Sequence, residues 1–97
     1  MVTKVGHYRQ YINDYGWIAV LKVCHIFEQK EKYEECAKIM KAIKEYSRLT
    51  GEMVPDRFSE DIIDLAYEVY KYEGYEKDGL IKLINQNVRL MLSKISA

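Results

Sequence analysis

Apolar residues recur at helical spacing along most of the chain, and this periodicity constrains the fold more than any other feature of the sequence. Residues that are three, four and seven positions apart lie on one face of an α-helix. Four segments show this spacing, whereas the alternation of apolar and polar residues that is typical of strands is hard to find. The sequence therefore predicts an all-α fold. The four apolar stripes are Trp17, Val20, Leu21, Cys24 and Phe27; Tyr33, Cys36, Ala37, Met40 and Ile43; Ile62, Leu65, Ala66 and Val69; and Leu80, Ile84, Val88, Met91 and Ile95.

Proline and glycine separate these segments. Pro55 is the only proline in the sequence, and Gly51 and Gly74 are natural stops for a helix. Residues 1–15 contain apolar side chains that suit either a short helix or an extended segment packed over the bundle. No linker rich in glycine, serine or proline divides the chain. We expect one domain, residues 1–97, built as a small bundle of about four main helices with a short extra N-terminal helix as one alternative.

The composition disfavours several classes of function. Fifteen basic and fifteen acidic side chains cancel, so the sequence lacks the strongly basic balance that is typical of nucleic-acid-binding proteins. No apolar run approaches the ~18–20 residues of a membrane span, and the first fifteen residues lack a signal-peptide pattern. Two cysteines are too few for a disulfide framework and favour a reducing compartment. We expect a cytoplasmic protein that carries no cofactor and binds no membrane.

Acidic side chains outnumber basic ones in one part of the chain. Residues 52–78 contain nine acidic and three basic side chains, a local net charge of −6. These charges either form a solvated surface or bind a basic surface of a partner. Tyrosine, which occurs nine times, is favoured at protein interfaces because it offers a large apolar area and a polar tip. The predicted partner-binding residues are Asp61, Asp64, Glu68, Tyr67, Tyr70 and Tyr72.

The last predicted helix has apolar residues on more than one face. A small bundle can bury such a surplus in a symmetric dimer. Self-association is therefore a second expectation. The predicted oligomer interface consists of Leu80, Leu83, Ile84, Leu90 and Met91.

Metal and catalytic motifs are weak. A helical hairpin that turns near residue 30 would bring Cys24 and Cys36 opposite one another, with His25 nearby. Structural zinc usually takes four ligands in short paired spacings, and here the fourth would have to be distant, such as His7. We expect two buried cysteines and no metal site. Since phosphate-loop, dinucleotide-binding and zinc-protease motifs are also missing from the sequence, we expect no enzymatic activity.

One part of the chain resembles known helical hairpins. The sequence from Lys32 to Ala37, with Ile39 and Ile43 after it, resembles the UVR motif, which occurs in excision-repair proteins and in small proteins of other roles. Cys36 stands where that motif usually has alanine. The same region, residues 18–43, is similar to a degenerate tetratricopeptide hairpin, although no second copy follows. Both resemblances imply a hairpin used for protein contacts and no particular activity.

These observations favour a non-enzymatic protein that binds another protein through tyrosines and an acidic helix. Small, neutral chains without catalytic motifs are common among inhibitors that viruses and mobile elements direct against host systems. One alternative is a nucleotide-binding module at a subunit interface, with Arg9, Lys82 or Arg89 for phosphate and tyrosines for stacking. Another is an accessory nucleic-acid-binding protein, for which three basic residues in the last nineteen positions are few.

Overall fold

The computed structural model describes residues 2–96, which form five α-helices and one 3₁₀ turn and contain no strand. The predicted all-α bundle is confirmed, and the N-terminal segment adopts the helical alternative. Met1 and Ala97, the two ends of the predicted domain, lie outside the described residues. The elements are α1 (Val5–Tyr15), α2 (Trp17–Gln29), α3 (Tyr33–Thr50), α4 (Glu60–Tyr70), the 3₁₀ turn (Lys71–Glu73) and α5 (Lys77–Ser96).

Helix α2 lies at the centre of the bundle. It packs against α1, α3 and α5, while α1 also packs against α3. A helix that contacts three others needs apolar residues on more than one side. The sequence of α2 meets this need, since nearly half of the helix is buried. The buried residues of α2 are Ala19, Val20, Leu21, Val23, Cys24 and Phe27.

A single glycine joins α1 to α2. Gly16 has φ 88° and ψ 153°, a conformation that residues with a Cβ atom rarely adopt. Its backbone N–H donates a hydrogen bond of 2.9 Å to the carbonyl oxygen of Ile12, so the last turn of α1 stays closed. The chain therefore changes direction at a single residue between α1 and α2. Trp17, the first residue of α2, is partly buried against the core.

A polar cluster attaches the N-terminal segment to α3. We use this name for Thr3, Tyr8, Glu35 and Lys38. The hydroxyls of Thr3 and Tyr8 both donate to one carboxylate oxygen of Glu35. The Lys38 ammonium donates to the other oxygen of Glu35 at 3.0 Å and to the carbonyl oxygen of Thr3 at 2.9 Å. Because Thr3 and Tyr8 are buried, this cluster satisfies polar groups that water does not reach.

Helix α4 lies at the edge of the bundle, where it packs mainly against α5 and the 3₁₀ turn. It buries Ile62, Ile63 and Ala66. The predicted stripe is therefore corrected at two positions, because Leu65 and Val69 are each 67% exposed. Apolar residues cover more than half of the perimeter of this helix, and a helix with few neighbours buries only part of them.

Candidate functional site

The exposed apolar residues of α4 border a groove. It lies between α4, the loop formed by residues 51–59 and the start of α2, and it encloses about 330 Å³. Trp17 and Ile18 contribute from α2, and Leu65, Val69 and Tyr70 contribute from α4. We call this feature the α4 groove.

The loop that forms one wall of the groove is held by specific contacts. Gly51 ends α3 in the left-handed conformation, with φ 76°, and redirects the chain. The Tyr46 hydroxyl donates to the carboxylate of Glu52 at 2.7 Å, and the Ser47 hydroxyl donates to the carbonyl oxygen of Glu52 at 2.5 Å. Met53 follows and is 95% exposed. The groove therefore has an unusually accessible methionine at its rim, on a loop whose first residues are fixed.

The loop is anchored at its far end as well. Val54 and Phe58 are partly buried and pack against the hydrophobic core of the bundle. The Lys22 ammonium lies 5.5 Å from the centre of the Phe58 ring, a distance typical of a cation–π contact. Pro55, which lies between them, lines the groove. The loop is thus held at both ends, and its residues Met53 and Pro55 line the groove.

The predicted acidic residues form a stripe along α4 beside the groove. Asp61, Asp64 and Glu68 are exposed and are spaced three and four residues apart, so they share one face of the helix. We call these three residues the acidic stripe. Helical geometry places Leu65 next to this stripe, on the side of the groove. Two of the three carboxylates have lysine partners, Lys77 for Asp64 and Lys71 for Glu68, the latter at 2.6 Å.

The three predicted tyrosines occupy different environments. Tyr67 is partly buried against the core, whereas Tyr70 lines the groove and is 41% exposed. Tyr72 is 84% exposed on the 3₁₀ turn, where the Lys71 ammonium lies 5.3 Å from its ring centre. The Tyr70 ring packs edge-on against Tyr75, with 6.2 Å between their centres. Of the three, Tyr70 is therefore the one that the structure brings to the groove.

The predicted oligomer interface divides into two groups. The side chains of Leu80, Ile84 and Met91 lie in the core of the chain itself, with exposures of 6%, 6% and 0%. A second copy cannot reach them in this fold, so the interface prediction is corrected at these three positions. Leu83 and Leu90 are 40% and 46% exposed. The predicted oligomer interface is therefore limited to these two residues.

The basic residues proposed for phosphate differ in availability. Arg9 forms a two-armed ion pair with Glu45 of α3, with nitrogen–oxygen distances of 2.5 and 2.9 Å. A phosphate at Arg9 would have to displace this carboxylate. Lys82 and Arg89 are exposed on α5. The nucleotide alternative thus gains no assembled phosphate site from this geometry.

A second group of side chains lies across the α2–α3 hairpin. The ligand atoms of Cys24, Glu28 and Cys36 all lie within 4.8 Å of one another, and both cysteines are free thiols. Burial raises the pKa of the Cys24 thiol to about 12, and the neighbouring Cys36 adds to this shift. Burial also raises the pKa of Cys36. We call these three residues the cysteine cluster.

The approach of Cys24 and Cys36 was predicted from the sequence, whereas the position of Glu28 beside them was not. Its spacing of four residues after Cys24 is the signal that identifies it, since residues i and i+4 share a helix face. The histidines considered as ligands lie elsewhere. The ring of His7 accepts a hydrogen bond of 2.9 Å from the backbone N–H of Lys4, and His25 is exposed with its ring centre 6.3 Å from that of Phe58.

Comparison of the chain with protein-family models, with curated proteins and with solved structures finds no match in any of the three. The resemblance of residues 18–43 to UVR-like or tetratricopeptide-like hairpins accordingly stays a prediction. Within residues 2–96, every helix is too short or too polar to cross a membrane.

Proposed function

We propose that this chain is a non-enzymatic binding protein whose α4 groove accepts an apolar segment of a protein partner that also carries basic residues. The observation that carries the proposal is the exposure of Leu65 and Val69, each at 67%, on a helix whose other apolar face is already buried. These two residues lie one turn apart, so a single partner segment can cover both.

The apolar contribution is substantial. Full burial of one leucine or valine side chain stabilises a structure by about 1.5–3 kcal/mol. Leu65, Val69 and Met53 all border one groove and are all more than half exposed. Contiguous apolar patches on a monomer often mark binding sites. Trp17 and Tyr70 add aromatic residues, which are enriched among the residues that dominate binding energy.

The charge beside the groove indicates the chemistry of the partner. The acidic stripe runs next to Leu65, and residues 52–78 carry a net charge of −6. A segment with lysine or arginine beside its apolar residues matches this surface. Such a partner would compete with Lys71 and Lys77 for two of the carboxylates. Because exposed ion pairs are worth about 0–1 kcal/mol, this exchange costs little.

The biological role that suits this surface is that of an adaptor or an inhibitor, including the kind of small inhibitor that viruses and mobile elements direct against host systems. Such a protein acts by occupying the surface of its partner and needs no catalytic residues. A cytoplasmic location belongs to the same proposal, since the two cysteines are free thiols.

The test is affinity capture from the native source, followed by measurement of binding with the purified partner. The double variant Leu65→Glu/Val69→Glu places two carboxylates at the groove and should weaken binding by about a hundredfold or more, as two apolar contacts are replaced by buried charge. Leu49→Glu is the matched control, because Leu49 is 79% exposed on α3 and lies outside the groove. It should bind as the unchanged protein does.

A cross-linking measurement locates the partner independently. A photoreactive amino acid at position 53 should cross-link to the partner, whereas the same group at position 49 should not. Unchanged affinity of the Leu65→Glu/Val69→Glu variant for the purified partner would overturn the proposal. The proposal would also be overturned if the chain captured nucleic acid and no protein, and if the nucleic acid were released when the salt concentration was raised.

A further inference from the structure

We propose that the cysteine cluster is a binding site for a thiophilic divalent cation, with Zn²⁺ as the natural class of ligand. Cys24 and Glu28 supply a sulfur and a carboxylate oxygen from one face of α2, and Cys36 supplies a second sulfur from α3. This site is separate from the α4 groove and does not depend on the function proposed for it.

The distances suit zinc. The three ligand atoms lie within 4.8 Å of one another, and the Cys24 sulfur is 4.0 Å from a Glu28 carboxylate oxygen. Zinc–sulfur bonds of ~2.3 Å in a tetrahedron place two sulfurs about 3.8 Å apart. The three groups therefore need to approach one another by at most about 1 Å to coordinate one ion.

The donor set selects the metal. Two sulfurs and one carboxylate oxygen suit zinc and cadmium, because thiolates prefer soft or borderline cations. Calcium takes six to eight oxygen ligands, and magnesium requires near-octahedral oxygen coordination, so neither suits this set. Three protein ligands leave a fourth tetrahedral position for water or another small ligand.

The burial of the three ligands indicates how an ion reaches the site and how strongly it binds. Both cysteines are buried, with exposures of 2% and 8%, whereas Glu28 is exposed and marks the side from which an ion enters. Each thiol must lose its proton to bind the ion, and two protons are released to solvent. Burial makes this loss costlier, so we expect weaker binding than at a closed site with four protein ligands.

The site would also link two helices. The Cys36 sulfur already lies 3.5 Å from the carbonyl oxygen of Cys24, which shows how closely α2 and α3 approach here. An ion bound by both helices stabilises the folded state, because the unfolded chain does not hold the three ligands together. Zinc should therefore raise the midpoint of thermal unfolding by an amount that grows with its concentration.

The experiment is titration of the reduced, folded protein with Cd²⁺, whose bonds to thiolates give an ultraviolet charge-transfer absorption. The absorption should saturate at one Cd²⁺ per chain and disappear in Cys24→Ser and in Cys36→Ser. A large excess of Zn²⁺ should displace Cd²⁺ and abolish the absorption, because both ions compete for the same two thiolates. Circular dichroism establishes that each variant retains its helices.

A surface variant tests the third ligand without changing the core. Glu28→Gln replaces the charged oxygen ligand with a neutral amide and should weaken Cd²⁺ binding by at least about tenfold, the smallest loss typical even of an outer-shell partner of a metal site. Glu34→Gln, at an exposed position on the same hairpin, is the control and should bind Cd²⁺ normally. The proposal is overturned by the absence of a saturable charge-transfer absorption in the reduced protein, by its persistence in Cys36→Ser, or by equal affinities of Glu28→Gln and the unchanged protein.

Discussion

The hydroxyl of Tyr8 donates a hydrogen bond to a carboxylate oxygen of Glu35, and this contact joins α1 to α3 inside the polar cluster. Tyr8 is 0% exposed, so its hydroxyl has no access to water. Burial and the adjacent carboxylate together raise the pKa of Tyr8, which keeps its proton on the phenol as a donor. The polar cluster is therefore a place where the stability of the fold depends on particular polar groups.

Removal of this hydroxyl tests that dependence. Tyr8→Phe keeps the ring and deletes the donor, and it should lower the free energy of unfolding by about 1.5–3 kcal/mol, as expected for a hydrogen bond to a charged group. Tyr46→Phe is the matched control, because the Tyr46 hydroxyl donates to Glu52 at an exposed position and should contribute less than ~0.5 kcal/mol. Chemical denaturation of the two variants measures the difference. Equal losses would mean that burial of the polar cluster adds nothing.

The same cluster should give the protein a sensitivity to acid. Burial of Glu35 opposes its ionisation, but hydrogen bonds from Thr3, Tyr8 and Lys38 outweigh burial and hold the pKa of Glu35 below its ordinary value. A carboxyl with a lowered pKa in the folded state stabilises the fold above its unfolded pKa of ~4.3, and this stabilisation is lost as the pH falls through the folded pKa.

Glu35→Gln should therefore flatten the dependence of stability on pH below about pH 4.5, near the unfolded pKa of glutamate. The variant should also be less stable than the unchanged protein at neutral pH. Denaturation curves recorded from pH 3 to pH 7 measure both effects. A variant with the same loss of stability on acidification would show that other carboxyl groups, such as Glu45 in its pair with Arg9, carry the acid sensitivity.

Substitutions on the two faces of α4 should change stability by very different amounts. Ile63→Ala removes a side chain that is 2% exposed and should cost about 2–4 kcal/mol through lost burial and a cavity. Leu65→Ser removes one that is 67% exposed and should change stability by less than ~0.5 kcal/mol. Thermal or chemical denaturation compares them. A large loss for Leu65→Ser would mean that the predicted stripe, and not the observed one, faces the core.

Sequence periodicity was sufficient to predict the four main helices, but it left α1 undecided and did not show which face of α4 is buried. In α5, Leu80, Ile84, Val88 and Met91 of the predicted stripe are all buried. In α4, Ile62, Ile63, Leu65, Ala66 and Val69 form one broad apolar arc opposite the acidic stripe, and periodicity alone does not decide which part of this arc is buried. The position of α4 at the edge of the bundle decides the outcome, and that position depends on contacts that are distant in sequence.

The candidate sites show the same division. The approach of Cys24 to Cys36 follows from the hairpin, whose turn near residue 30 is visible in the sequence. The α4 groove could not be predicted, because it requires the loop of residues 51–59 to bring Met53 and Pro55 to the same groove as Leu65. That arrangement depends on the left-handed conformation of Gly51 and on the hydrogen bonds that hold Glu52.

Self-association should depend on the two exposed leucines of α5, Leu83 and Leu90. Leu83→Glu and Leu90→Glu place charge on a face that is 40–46% exposed, so a dimer built on this face should dissociate while the monomer stays folded. Sedimentation velocity over a range of concentrations measures the dimer fraction, and circular dichroism reports the fold. A dimer that persists in the double variant would place the interface on another surface.

Any side chain at the joint between α1 and α2 should lower the stability of the fold. Gly16 has φ 88° and ψ 153°, a region that is essentially restricted to glycine. Gly16→Ala should therefore destabilise the protein by about 1–3 kcal/mol, although apart from its two chain neighbours no residue comes within 4 Å of the added Cβ. Gly79→Ala is the control, since Gly79 lies in the first turn of α5 and its Cβ would also meet open space. There alanine should stabilise the helix by about 0.4–1 kcal/mol, because it lowers the entropy of the unfolded chain. Opposite signs in the two denaturation midpoints would show that backbone conformation, and not space, makes glycine necessary at the joint. A neutral Gly16→Ala would mean that α1 and α2 can meet in a second geometry.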